Sequence, residues 1–176
     1  MATFFISDTH FGDHRVLNLY PRPFASVADM DEGLIARWNN ACGPDDEVWH
    51  LGDFARTTAR AAAILPRLNG RKHLLLGNND PAVPPTGEWE SVAAYREIER
   101  AGVLLVLCHY PFRSWNGQHR GSWNLHGHSH GRLSPLLRQH DVGVDANGYA
   151  PVLLESLIEA KRCRASSRAF GKPRSG

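Results

Sequence analysis

The chain is poor in cysteine. Cys42, Cys108 and Cys163 are the only three in 176 residues. An odd, scattered set does not make a disulfide framework and fits free thiols in a reducing compartment. No apolar run approaches the roughly 20 residues that span a bilayer. The opening Met1-Ala2-Thr3-Phe4-Phe5-Ile6-Ser7-Asp8 has neither the basic start nor the long apolar stretch of a secretory leader. A cytoplasmic protein with no membrane partner is therefore expected. Acidic residues are missing from the C-terminal end. From Lys161 onward there are six Lys/Arg and no Asp or Glu, so the rest of the chain holds 14 basic against 18 acidic residues. The overall net charge of +2 thus hides a body of −4. A nucleic-acid enzyme usually carries positive charge on its body, so nucleic acid is not expected as a partner. The basic tail, 161–176, is expected to be a frayed, solvated terminus, with a weak polyanion-binding arm as the alternative. No repeat or linker divides the remainder, and one domain over 1–160 is expected.

What is present is ordinary globular composition, 42% hydrophobic and 22% charged, arranged in short apolar runs. Thr3 to Ser7, Glu47 to Leu51, Lys72 to Leu76 and Gly102 to Cys108 read as strands. Asp29 to Asn40 reads as an amphipathic helix, with Met30, Leu34, Ile35 and Trp38 on one face and Asp29 as N-cap. Thr57 to Leu65 reads as a helix ended by Pro66. Phe11 to Ser26 reads as loop with a short helix, 81–87 as a Pro-rich loop, and 89–100 as mixed. Tyr110 to Ser122 is a long loop. Asp141 to Asp145 and Val152 to Leu157 read as late strands, the second turning helical through Lys161.

Five of the apolar runs end in residues that bind metals: Asp8/His10, Asp53, Asn78, His109 and His128/His130. Rigid strands aim the residues at their ends toward one crevice, so positions spread along a chain can converge. The densest stretch is Leu125-His126-Gly127-His128-Ser129-His130-Gly131. If it is extended, alternation points its three imidazoles the same way. Two carboxylates, one amide and four histidines are too many for one tetrahedral zinc and suit two adjacent metals. No thiolate belongs to the set, because alternation turns Cys108 away from His109. An N/O donor set favours Mn, Fe, Co, Ni or Zn over a Cys-rich structural site.

In their order and at these places, Asp8-Thr9-His10, Gly52-Asp53, Gly77-Asn78-Asn79-Asp80, His109 and Gly127-His128-Ser129-His130 resemble the five signature blocks of the calcineurin-like metallophosphoesterase superfamily. The compact size resembles its small bacterial members. The resemblance implies an α/β fold of two packed mixed β-sheets flanked by helices, with the site at one edge. It implies two divalent cations, manganese foremost, with Fe, Co, Ni or Zn as alternatives. Asp8, His10 and His130 would hold the first, Asn78, His109 and His128 the second, and Asp53 would bridge both. A shared carboxylate offsets the repulsion between two close cations, and a water between them loses its proton near neutral pH and attacks phosphorus in line.

One position departs from the family pattern. The third block usually reads Gly-Asn-His-Asp or Gly-Asn-His-Glu, and its histidine often protonates the leaving group. Here Asn79 takes that catalytic position. An amide can donate to phosphate but delivers no proton, and general acid catalysis is worth about 10²–10⁴-fold. Three outcomes stay open: substrates with stabilised leaving groups, a replacement acid such as His119 or His126, or binding without turnover. Substrate contacts are expected from Arg15 and from the loop that carries Arg113, Trp115, His119 and Arg120, because Arg pairs bidentately with phosphate and Trp can stack a base. His50 is expected to be a core histidine with a backbone partner, His73 and His140 surface residues, Asp80 the cap of the next turn, and Asp145 with Asn147 a turn before Gly148. The function expected is hydrolysis of a small, nucleotide-like phosphoester. A single-strand nuclease and a non-catalytic metal-binding protein are the alternatives.

Overall fold

The computed structural model describes residues 1–81, 87–134 and 136–159. Among the described residues, nine strands form two sheets. The first holds β1 (Thr3–Ile6), β2 (Glu47–His50), β3 (Arg71–Leu75), β4 (Ser91–Ala93) and β9 (Val152–Leu153) in the order β4-β3-β2-β1-β9. Its pairs are parallel except β1 with β9. The second holds β5 (Tyr95–Arg100), β6 (Val103–Cys108), β7 (Trp123–His126) and β8 (Gln139–Asp141) in sequence order, antiparallel at β5–β6 and parallel beyond. Both sheets are therefore mixed, as the resemblance implies. The β5–β6 hairpin turns on Ala101 and Gly102, which both have positive φ (50° and 72°), the backbone that a tight two-residue hairpin loop requires.

Alternation along β1 shows how the layers stack. Phe4 and Ile6 join a cluster with Met30, Leu34, Ile35 and Trp38 of α2 (Val27–Ala41) and with Ala61 and Ile64 of α3 (Thr58–Ile64). Phe5 points the other way, into a cluster with Trp49, Leu75, Leu105, Leu107, Trp123 and Leu125 between the sheets. The first sheet is thus buried on both faces, which is why its strands read as continuous apolar runs. Each of these large side chains contributes about 1.5–3 kcal/mol by leaving water.

The helix over 27–41 is the one that its apolar spacing predicts, but its cap differs. Ser26, not Asp29, is the N-cap. Its Oγ accepts from the Asp29 N–H (3.1 Å) and donates to the Asp29 carboxylate (2.8 Å), so Asp29 supports the cap from the first turn. The helix α3 ends at Ile64, where the chain tightens into the 3₁₀ turn Leu65–Arg67 that holds Pro66. The run Asp141 to Asp145 is not a strand. β8 ends at Asp141, and Val144–Ala146 is another 3₁₀ turn. The late run at 152 keeps two strand residues and turns helical over 154–159. The short helix in the first loop is α1 (Arg15–Leu19). His73 and His140 are half-buried rather than on the surface, because Trp49 stacks on the first at 4.1 Å and Trp123 lies 4.9 Å from the second. The basic tail and most of the 81–87 loop lie outside the described residues. Among the described residues no helix is long and apolar enough to cross a membrane.

Candidate metal centre

The parallel strands β1, β2, β3, β6 and β7 deliver the metal-compatible residues, and backbone bonds sew their loops together. The N–H of Asp8 donates to Gly52 O (3.0 Å), that of His10 to Asp53 O (3.0 Å), and that of Gly127 to His109 O (3.0 Å). A bridge between Ser7 and Gly143 ties the two sheets at this end. Glycine is needed where the loops press closest. A Cβ at Gly52 would lie 2.6 Å from the His109 ring and 2.7 Å from Gly77 N, and one at Gly127 would strike Ser7 and the Asp8 carboxylate.

Asp8, His10 and His130 form one group that could hold a metal ion, and Asp8, Asp53 and His109 a second, overlapping one. His10 Nε2 and His109 Nε2 lie 3.5 and 3.6 Å from the same oxygen, Asp53 Oδ2. His130 Nε2 lies 3.8 Å from Asp8 Oδ1. Asn78 Oδ1 is 3.1 Å from His109 Nε2, and the His128 ring sits 5.1 Å from that of His109. His128 is exposed, whereas Asp8, His10, Asp53 and His109 are buried. No cysteine belongs to either group; Cys108 is a buried free thiol.

The His run is not extended past His126. His128 and His130 have φ of 65° and 48°, and so do Asp8 (60°), His10 (51°) and Asp53 (58°). Left-handed backbone costs a non-glycine residue about 1–2 kcal/mol. Five such residues in one place mark a site held in strain by its surroundings. The turn also parts the three imidazoles. His126 stays in β7, buried, with Nδ1 against Gly127 O (2.8 Å).

The electrostatics of the site call for a cation. Burial, helped by the Asp53 and Asp141 carboxylates, pushes the Asp8 carboxyl well above the usual range. Burial lowers His10 to about 4, although Asp53 pulls the other way. Burial lowers His109 as well, so both rings are neutral at pH 7, the form that ligates metals. His109 Nδ1 must donate to the Leu51 carbonyl (2.8 Å), which leaves its Nε2 lone pair facing two other acceptors, Asn78 Oδ1 and Asp53 Oδ2. His10 Nε2 is buried with no hydrogen-bond partner. A buried ring nitrogen without a hydrogen-bond partner, beside a His109–Asn78 pair with no donor between its two atoms, fits a bound cation.

The neighbouring residues hold this arrangement. Asn79 donates its backbone N–H to Asp53 Oδ1 (2.8 Å) and its side-chain amide to Asp53 Oδ2 (2.7 Å). Asp80 accepts neither from Asn79 nor only within its own turn. Its carboxylate takes the N–H groups of Asp53 (2.7 Å), Phe54 (2.7 Å) and Gly77 (2.8 Å) and so clamps the second block to the third. His50 is a core histidine, bonded to Thr9 Oγ1 (3.0 Å) and accepting from Gly52 N (3.2 Å). Asp145 is more than part of a turn. Its Oδ2 lies 2.6 Å from His130 Nδ1 and 2.8 Å from Arg22 Nη2. Burial alone would raise the Asp145 carboxyl, but hydrogen bonds from His130 and Arg22 outweigh it and hold it low. Arg22 and Tyr20, which stacks on His130 at 3.8 Å, are not signalled by any metal-binding pattern. The one sequence cue was Arg22 fixed between Pro21 and Pro23.

A cavity of about 160 Å³ opens over the cluster. Arg15, Val16, Leu19 and Tyr20 line it beside Asn78, Asn79, His10, His128 and His130. Of the expected substrate contacts, only Arg15 reaches this lining, and Asp13 holds its guanidinium (2.6 Å). Arg113, Trp115 and His119 are not part of the lining. Trp115 is buried with its Nε1 on Ser122 O (3.3 Å), and His119 lies in an exposed 3₁₀ turn, Gln118–Arg120. Neither His119 nor His126 lines the cavity as a replacement acid.

No family model matches the sequence. The structure is similar to that of protein AQ665 from Aquifex aeolicus, with a TM-score of 0.75 and 23% identity over 90% of this chain and 98% of that one. A novel archaeal phosphodiesterase overlays less closely, with a TM-score of 0.45 and 18% identity over 81% and 82% of the two chains. The sequence is 31% identical over 166 residues, 89% of each protein, to the uncharacterized protein MJ1445 of Methanocaldococcus jannaschii. At that identity over nearly their whole lengths, the chain belongs to the same protein family as MJ1445.

Proposed function

We propose that this protein is a dinuclear metal-dependent phosphoesterase that cleaves a P–O bond in a small substrate. The observation that carries this reading is the convergence of two buried ring nitrogens on one oxygen of Asp53: His10 Nε2, which has no hydrogen-bond partner, and His109 Nε2, whose lone pair faces Asn78 Oδ1. Asp8, His10 and His130 would hold one divalent cation and Asn78, His109 and His128 the other, with Asp53 shared. Manganese is the first choice and Fe, Co, Ni or Zn the alternatives. When bound, such a pair supplies Lewis acidity and lowers the pKa of an attacking water.

The chain's own residues do the rest. Asp53 is fixed by Asn79 and Asp80 and keeps the two metal positions at a set spacing. Asn79 uses its amide on Asp53 and offers the leaving group no proton, so the substrate is a phosphoester whose leaving group departs unaided, such as an aryl diester. Arg15 supplies positive charge at the cavity wall for a phosphate oxygen. Val16 and Leu19 of α1 give the leaving group an apolar surface. Trp115 stacks no base from its buried place, which weakens the case for a nucleotide. The small cavity and the negative body weigh against a nuclease. The engaged amide of Asn79 is what favours the second reading, a metal-binding protein without turnover.

The test is turnover of an aryl phosphodiester and an alkyl monoester with Mn, Co, Ni, Mg or Zn added in turn. The expected result is hydrolysis of the diester with at least one metal, its loss in Asp53→Ala, and a gain of about 10²-fold or more on the alkyl ester in Asn79→His. Two bound metals without turnover of any ester would establish the second reading. No bound metal would overturn both.

A further inference from the structure

A buried ion pair underlies the first metal position. Arg22 has a fully buried side chain. Its Nε and Nη2 grip Asp145 at 2.9 and 2.8 Å in a two-pronged contact. Its remaining donors reach the backbone carbonyls of Asp8 (2.7 Å, Nη2) and Thr9 (3.0 Å, Nη1), inside the turn where Asp8 and His10 adopt left-handed backbone. Asp145 Oδ2 in turn accepts from His130 Nδ1 at 2.6 Å. Tyr20 covers one face of that ring at 3.8 Å and His10 stacks with it at 5.5 Å.

One guanidinium therefore touches the backbone that carries Asp8 and His10 and, through one carboxylate, the ring of His130. These are the three residues of the first metal group. A carboxylate on the distal nitrogen of a histidine fixes its tautomer and raises its basicity as a ligand. Stability alone accounts poorly for the pair, because a buried ion pair is often no more stabilising than an apolar pair of similar volume. Pro21 and Pro23 restrict the backbone on either side of Arg22, so the guanidinium is delivered with little freedom to lose.

We propose that Arg22 and Asp145 are positioning residues that assemble the first metal position, holding His130 with its proton on Nδ1 and its Nε2 turned toward Asp8. The proposal rests on the metal-centre reading given above. It assigns them no contact with substrate, and it makes the two metal positions differ: the ring of the first position's His130 rests on a charged carboxylate, while that of the second position's His109 rests on a neutral carbonyl.

The experiment uses Asp145→Asn, which keeps the shape, Asp145→Ala, which removes the acceptor, and Arg22→Lys, which keeps the charge without the fork. Melting curves of the metal-free proteins identify variants that fold. In metal-free protein, imidazole ¹⁵N spectra are expected to show the Nδ1–H tautomer of His130, and Asp145→Ala to lose it. Calorimetric titration with Mn²⁺ is expected to show two sites in the wild type. Asp145→Asn should weaken one of them by about 10–100-fold, the same one that His130→Ala removes, and leave the other alone. Arg22→Lys should give a smaller loss at that same site. Equal loss at both sites, no loss in a folded Asp145→Asn, or an unchanged tautomer in folded Asp145→Ala overturns the proposal. A wild type that binds no Mn²⁺ overturns it together with the metal-centre reading, whereas two wild-type sites untouched by Asp145→Asn overturn the positioning role alone.

Discussion

Two irregular stretches leave strand ends beside the metal centre, and they go to opposite uses. Residues 11–26 follow the first block, and residues 110–122 follow His109. Both carry aromatic residues, arginines and proline. The first folds over the cluster, placing Arg15, Val16, Leu19 and Tyr20 on the cavity wall and Arg22 beneath it. The second turns away and packs on the outer face of the second sheet. Phe112 N–H donates to Asn124 Oδ1 (3.1 Å), Gln139 Nε2 donates to Phe112 O (2.6 Å), and Asn116 bonds Glu97. Asn124 and Gln139 are buried polar residues on that face and need partners, and the 110–122 backbone supplies them. Similar composition therefore says little about which loop walls the cavity. What decides it is which buried polar groups lie within reach of each loop.

The sharpest way to break the contrast is Arg22→Ala. It leaves Asp145 buried without its cation and should lower unfolding free energy by about 3–5 kcal/mol, measured by urea denaturation of the metal-free protein. Trp115→Ala comes next. Loss of a buried indole should destabilise by about 3 kcal/mol, yet KM for an aryl diester should not move; a raised KM would put the 110–122 loop back at the site. Arg15→Ala should do the reverse, raising KM about tenfold, on the order of one lost charged contact, with a smaller drop in melting temperature than Trp115→Ala, because Asp13 loses its cation but keeps the residue-15 N–H. Arg113→Ala should alter neither quantity, and any rise in KM would show that the two loops share the substrate.

The sequence carried much of this centre on its face. Asp8, His10, Asp53, Asn78, His109, His128 and His130 follow apolar runs, and parallel strands in one sandwich bring such run ends to one edge. The runs themselves were readable because the first sheet is covered on both sides, so Phe4 to Ile6, Val48 with Trp49, and Leu74 with Leu75 are apolar at consecutive positions. The geometry of the His run was not readable: period-two spacing predicts an extended segment, but His128 and His130 are turned by left-handed backbone that contacts with Asp8, Asp141 and Asp145 hold in place. The cap of α2 was off by three residues because Ser26 and Asp29 bond to each other, and either could serve from spacing alone. Asp145 resembled a turn residue since its partners, Arg22 and His130, lie 123 and 15 positions away.

The amino-acid sequence by itself determined the donor chemistry of the candidate metal centre: oxygen and imidazole donors without thiolate, and an amide at Asn79. Those are properties of side-chain types, and no folding changes them. The tertiary structure alone decided which groups support the candidate metal-binding residues and which loop walls the cavity. Both depend on distances between residues far apart in the chain, and those distances are set by how two sheets pack and by where buried polar atoms find their partners.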